Sequence, residues 1–136
     1  MQDKVFIDTN IFVYLYSSDE KDKKEKCLSA IGNYDCYTST QAINELINVL
    51  IKKFNVKPNI IKEVIDEIYS SCIVNNVDKE IINKALDIHF TYGFSYYDSL
   101  MLSSALNSQC TQILTEDMNN NQLIDNVLKI TNIFID

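Results

Sequence analysis

Arginine and tryptophan are both missing from this 136-residue chain, and there are only two glycines, one proline and one histidine. All 12 cationic side chains are therefore lysines. Without arginine the chain cannot make a bidentate guanidinium–phosphate fork or supply an arginine finger. With so little Gly and Pro, and 46% hydrophobic residues, collagen-like, disordered and loop-rich disulfide sequence are excluded. Four cysteines stand at positions 27, 36, 72 and 110, with no Cys-x-x-Cys pair. Beside a single histidine, that spacing excludes a Cys/His zinc centre. The cysteines are expected to be reduced, buried thiols acting as small hydrophobes. His89 lies on a helical stretch with no partner base or nucleophile and is expected to be structural. Long apolar runs are absent too. Residues 11–16 and 46–51 are the longest candidates, far short of the ~20 needed to span a bilayer. Asp3 and Asp8 flank a short apolar run, which is no signal peptide, so a cytoplasmic location is expected.

The net charge is −7. Taken alone, that balance argues against nucleic-acid binding. Two lysine groups offset it in part. Lys21, Lys23, Lys24 and Lys26 alternate with Asp22 and Glu25 and read as a solvated helix face. Lys52, Lys53 and Lys57 form the second group. The length suits one domain over residues 1–136, and a chain of this size buries roughly two thirds of its unfolded surface.

Apolar patterning predicts strands at 4–7, 35–38, 72–74, 112–114 and 129–134. Helices are predicted between them. The first covers 10–17. The second is capped by Ser18 or Asp19 and ends near Gly32-Asn33. The third starts at Ser39 or Thr40 and runs to about Phe54, with Ile43, Leu46, Ile47, Leu50 and Ile51 on the helical period. Pro58 suits the first turn of the next, to Ser71. Asp78 caps another that Gly93 breaks, and the last ends at Asn107. The alternation predicts an α/β domain: a mostly parallel sheet of about five strands with helices on both faces. The Asn119-Asn120-Asn121 loop is polar and expected to be mobile.

Four carboxylates fall at corresponding places. Asp8 follows the first strand directly. Glu45 lies in the second turn of the helix after the second strand. Asp98 lies in the first turn of a helix, on a face shared with Leu102 and Ala105. Asp117 comes three residues after Leu114, at the exit of the fourth strand. Open parallel sheets bind ligands at the carboxyl ends of their strands, near the switch in strand order. Each acid has a plainer reading. Asp8 suits a helix cap, Asp98 a first-turn acid and Asp117 a turn, while Glu45 points away from the Ile43–Ile47–Leu50 stripe and suits solvent. Gathered at one edge, however, they would repel one another and raise at least one pKa. A hard divalent cation removes that conflict, and oxygen-only ligands select Mg²⁺ or Mn²⁺. Such a metal would generate hydroxide and stabilise charge on a phosphate.

The same residues resemble a family. Phe6-Ile7-Asp8-Thr9-Asn10 is similar to the opening motif of PIN-domain nucleases, and Ser39 with Glu45 to their second motif. Phe94-Ser95-Tyr96-Tyr97-Asp98-Ser99-Leu100 resembles the third. Leu114-Thr115-Glu116-Asp117-Met118, followed by Gln122-Leu123-Ile124-Asp125, resembles the fourth as found in VapC-type toxins of toxin–antitoxin systems. The resemblance implies a three-layer α/β/α domain and a Mg²⁺-dependent endoribonuclease acting on RNA. It implies Asp8, Asp98 and Asp117 as metal ligands, with Glu45 completing the catalytic set; whether Asp117 binds metal or positions water stays open. It also implies Asn10 and Thr115 as polar support, a homodimer, and neutralisation by a cognate antitoxin protein. The chain departs from the pattern at Asn121 and Asn126, where relatives often have Gly, and at Ile133, where many have Pro.

Two other classes compete. One keeps the fold as a catalytically silent module that binds RNA or protein. The other is a phosphotransfer domain, which wants a nucleophilic Asp after a central strand with a Lys partner, or a second Asp two residues on. Here position 10 is Asn, and no Asp follows Val74 until Asp78.

Overall fold

The computed structural model describes residues 2–135 except Ser18. Strand β1 is Lys4–Ile7, followed by helices α1 (Thr9–Ser17) and α2 (Lys21–Asn33). Then come β2 (Asp35–Ser39), α3 (Thr40–Lys52), α4 (Pro58–Ser71) and β3 (Ile73–Asn75). Helices α5 (Lys79–Tyr92) and α6 (Tyr96–Asn107) precede β4 (Gln112–Leu114), β5 (Leu123–Ile124) and β6 (Leu128–Thr131). The strands form one six-stranded sheet in the order β3-β2-β1-β4-β6-β5. All pairings are parallel except β5 with β6. The order reverses at β1, whose neighbours are β2 on one side and β4 on the other.

Alternation along the strands divides the core into layers, because successive side chains leave opposite faces of a sheet. Val5, Ile7 and Leu114 pack with residues of α1, α2, α3 and α4. Phe6, Ile113 and Ile130 pack on the other face with Met101, Leu102 and Ala105 of α6 and Ile88 of α5. The protein is thus a three-layer α/β/α domain with its central strand buried from both sides. All four cysteines are free and buried, as expected. Among the described residues, no helix is long and apolar enough to cross a membrane.

Several helix ends follow the predicted chemistry. Ser39 and Asp78 accept hydrogen bonds from the backbone N–H groups of Ala42 and Ile81, satisfying donors that a helix start leaves free. Gly93 closes α5 at φ 83°, a left-handed conformation in which glycine carries no Cβ penalty. Helix α2 differs. Of its two expected caps, Ser18 lies outside the described residues and Asp19 is not the cap. Glu20 holds that position without a side-chain cap bond, and Gly32 is helical.

The sheet's far edge also differs from expectation. The predicted last strand, 129–134, ends at Thr131, and β5 adds a sixth strand. Asp125 and Asn126 have φ 52° and 59°, and the Val127 N–H bonds the Ile124 carbonyl. Two consecutive left-handed residues between antiparallel strands make a tight hairpin of the primed kind. Asn126 and Asn121 (φ 71°) both adopt this left-handed conformation, which Asn tolerates best after glycine. The Asn119–Asn121 loop, expected to be mobile, is tied down. Asn119 donates to Gln122, Asn120 accepts from the Asn132 N–H, and the Asn121 N–H bonds the Ile130 carbonyl.

A candidate acidic active site at the carboxyl edge

The reversal in strand order leaves a gap beyond the ends of β1 and β4, and Asp8 opens into it. Its N–H extends the ladder to the Leu114 carbonyl at 3.1 Å. Its carboxylate is held from two sides: the Thr9 N–H donates to Oδ1 at 2.7 Å and the Thr115 hydroxyl to Oδ2 at 2.7 Å. Asp8 is only 6% exposed. Burial pushes its carboxyl up to about 6, with the charges of Asp98 and Glu45 adding to the rise, while the two hydrogen bonds resist it.

The other three acids reach the same cleft from three further elements. Glu45, on α3, accepts from the Thr9 hydroxyl at 2.9 Å and from Gln41 at 3.4 Å. It is half-buried, so the solvated-surface reading does not hold. Asp98 stands in the first turn of α6, whose N-cap Ser95 accepts from the Asp98 N–H. Burial raises its carboxyl pKa, and the charge of Asp117 raises it further, against the bond to Ser95. Asp117 follows β4 and accepts from Asn10 Nδ2 at 2.9 Å, while its N–H bonds the Thr115 hydroxyl at 3.2 Å. Asn10 and Thr115 therefore bridge Asp8 to Asp117. Asp8, Glu45, Asp98 and Asp117 line one cleft of about 380 Å³, together with Asn10 and Tyr97.

Among the described residues the ion pairs are Lys23–Glu116 and Lys84–Asp125, and neither includes a cleft carboxylate. The donors are all oxygen, which fits a hard divalent cation. Among the described residues, no three carboxylate, thiol or imidazole groups are drawn into a ready-made metal cage. His89 takes no part: its Nδ1 pairs with the Phe94 carbonyl at the end of α5.

Sequence reasoning missed three contributors. Thr9 links the Asp8 backbone to Glu45. Gln41 joins Glu45 to the Tyr97 carbonyl at 3.1 Å, tying α3 to α6. Its position one turn before Glu45 was the available signal, since residues four apart share a helix face. Third, Lys23 does not belong to a plain solvated face. Its ammonium meets Glu116 at 2.8 Å, the Tyr14 hydroxyl at 2.9 Å, and the faces of Tyr14 and Phe134. No periodicity reveals that contact, because its partners lie 9, 93 and more residues away.

Comparison with known proteins agrees with this architecture. A search of curated proteins finds no sequence match. Among solved structures, the chain is similar to a toxin–antitoxin complex from Klebsiella pneumoniae, with TM-score 0.71 and 16% identity over 95% of this chain and 97% of that one. It is similar to VapBC2 from Rickettsia felis bound to a promoter DNA fragment, with TM-score 0.67 and 16% identity over 95% and 99%. It also resembles Mycobacterium tuberculosis VapC20, described as a sarcin–ricin loop cleaving toxin, with TM-score 0.66 and 11% identity over 80% and 86%. At these identities the likeness is one of fold. The PIN domain model matches residues 5–123 of the sequence, a span that contains all four cleft acids, and the chain belongs to the PIN-domain family.

Proposed function

We propose that this protein is a Mg²⁺-dependent endoribonuclease and the toxin of a toxin–antitoxin pair. The observation that carries the reading is the cleft itself: four carboxylates converge, Asp8 is buried, and among the described residues no ion pair neutralises them. Such a site is costly unless a bound cation completes it. Asp8 and Asp98 would hold Mg²⁺ (or Mn²⁺), with Asp117 as a third ligand. Bound there, the metal supplies a nucleophile at neutral pH and stabilises charge on the scissile phosphate.

The chain's own residues prepare that chemistry. Thr9 and Thr115 fix both oxygens of Asp8 and so aim its free lone pairs into the cleft. Glu45, oriented by Thr9 and Gln41, accepts a proton from the attacking water. Asn10 sets the rotamer of Asp117. Tyr97 is 65% exposed at the mouth, where a ring can stack on an unpaired base. A neighbouring cavity shares Asn10, Val13 and Val49 with the cleft and is lined further by Tyr14, Asp19, Glu20, Lys53 and Phe54. Lys53 gives an arginine-free chain one cation for the flanking phosphate.

The toxin reading is supported by the fold's likeness to toxin–antitoxin complexes and to a toxin described as cleaving the sarcin–ricin loop. It carries with it a cognate antitoxin, a homodimer and action in the cytoplasm. Purified protein with Mg²⁺ is expected to cut single-stranded RNA internally, to stop in excess EDTA, and to recover when Mg²⁺ exceeds the chelator. Undiminished cutting in EDTA would rule out the metal. No cutting with either Mg²⁺ or Mn²⁺ would favour a silent binding module.

A further inference from the structure

We infer that Lys23, Tyr14 and Glu116 form a positioning unit that holds Asn10 and Asp117 in working geometry from outside the cleft. The inference rests on the nuclease reading only for its kinetic consequence. Its structural content stands on the bonds themselves.

Asp117 is exposed and follows β4 in a segment without regular structure, so something must fix it. Its neighbour Glu116 is clamped. Glu116 Oε1 accepts from the Tyr14 hydroxyl of α1 at 2.6 Å, and Oε2 accepts from the Lys23 ammonium of α2 at 2.8 Å. Lys23 also donates to the Tyr14 hydroxyl, closing a triangle across three segments. Two aromatic faces steady the ammonium, 4.7 Å from the Tyr14 ring and 5.2 Å from the Phe134 ring. Those rings meet edge to face at 5.2 Å, a favourable arrangement.

The clamp connects to the cleft through the backbone. The Glu116 N–H donates to Asn10 Oδ1 at 3.3 Å. That bond orients the Asn10 amide so that Nδ2 points to Asp117 Oδ2 and the Thr115 hydroxyl. Thr115 in turn holds Asp8. The segment 115–117 is thus pinned by Asp8 before it, by α1 and α2 at its centre, and by Asn10 at both Glu116 and Asp117. Lys23 and Glu116 are each about one-third exposed (32% and 28%), so as a bare surface pair they would add little to stability. Their consequence lies in geometry. The sequence spacing hides this role, because Lys23 sits among lysines that face solvent.

The test uses the full chain and two readouts. Glu116→Gln and Lys23→Met each break the ammonium–carboxylate contact, with Lys26→Met, an exposed lysine on the same helix, as the control. The Asn10 side-chain amide resonances, followed by NMR without metal or RNA, are expected to shift in both test variants and to stay fixed in the control. In cleavage assays kcat is expected to fall about tenfold, in the range seen when outer supports of a site are lost, with KM within about twofold. Lys23→Arg, which keeps a cation on Glu116 and over both rings, should retain both readouts in large part, and it decides the matter should a single variant fold poorly. An Asn10 amide that stays unmoved in folded Glu116→Gln and Lys23→Met would overturn the inference, as would a folded Lys23→Arg protein whose amide shifts as far as in Lys23→Met. If the parent protein cuts no RNA, the nuclease reading fails while the amide readout still judges the clamp.

Discussion

Asp8→Asn protein is expected to cut RNA about a thousandfold more slowly, or not at all, since it loses a metal ligand at the reacting centre. In EDTA at pH 7 the same variant is expected to melt a few degrees higher than the parent. The two effects have one origin. Burial lifts the Asp8 carboxyl from an ordinary 3.8 to about 6, and that rise is worth roughly 3 kcal/mol against the charged form. The amide removes the buried charge. It also loses part of the hydrogen bonding, because the Thr115 hydroxyl already accepts from Asn10 and from the Asp117 N–H and has no lone pair left for a new donor. That loss costs about 1–2 kcal/mol, which leaves a net gain on the order of 1 kcal/mol. Calorimetry and a gel assay on one preparation check both halves. Cleavage at the parental rate in a folded Asp8→Asn protein would remove Asp8 from the catalytic set.

The second large effect is a pH dependence that metal reverses. The folded pKa of Asp8 lies above its unfolded value, so the native state binds the extra proton. Its contribution to stability is complete below about 4 and is lost as pH rises through about 6. Asp98 acts in the same direction. Glu116 and Asp125 act oppositely. Lys23 and Tyr14 hold Glu116 below its ordinary range despite partial burial, and Lys84 holds Asp125 down. Their stabilisation is present above the ordinary carboxylate values and disappears as pH falls through the depressed ones, so it does not mask the Asp8 window. Without metal, parent protein measured against Asp8→Asn is expected to lose about 2 kcal/mol between pH 4 and pH 7. Mg²⁺ should restore stability at pH 7 and do far less at pH 5, where protons compete for the ligand. A parent-minus-variant difference that stays flat with pH would mean that Asp8 is not desolvated as described.

Much of this site could be read from residue order. Asp8 and Asp117 close apolar runs that have to be strands, and a parallel sheet puts such positions at one edge. Asp98 shares a helix face with Leu102 and Ala105, both buried, so it too had to lie inward. Glu45 was different. Periodicity placed it off the apolar stripe, and only its contacts with Thr9 and Gln41 draw it into the cleft. The hairpin of β5 and β6 escaped because Leu123–Ile124 is two residues long and its turn uses Asp-Asn in place of a glycine pair. Ile133 and Phe134, assigned to the last strand, instead pack against the layer that contains α1. Their apolarity was legible, but their destination was a tertiary matter. Lys23 shows the same limit, since charge patterning on one helix carries no information about Glu116, 93 residues away.

Whether the acidic cleft holds a divalent cation on Asp8 and Asp98 can be seen by locating Mn²⁺ through anomalous scattering in crystals of the parent protein. A peak is expected in the cleft bounded by Asp8 and Asp98, with Asp117 and Glu45 beside it, and it should be lost in Asp8→Asn. Crystals that hold Mn²⁺ elsewhere while this cleft stays empty at millimolar metal would contradict it.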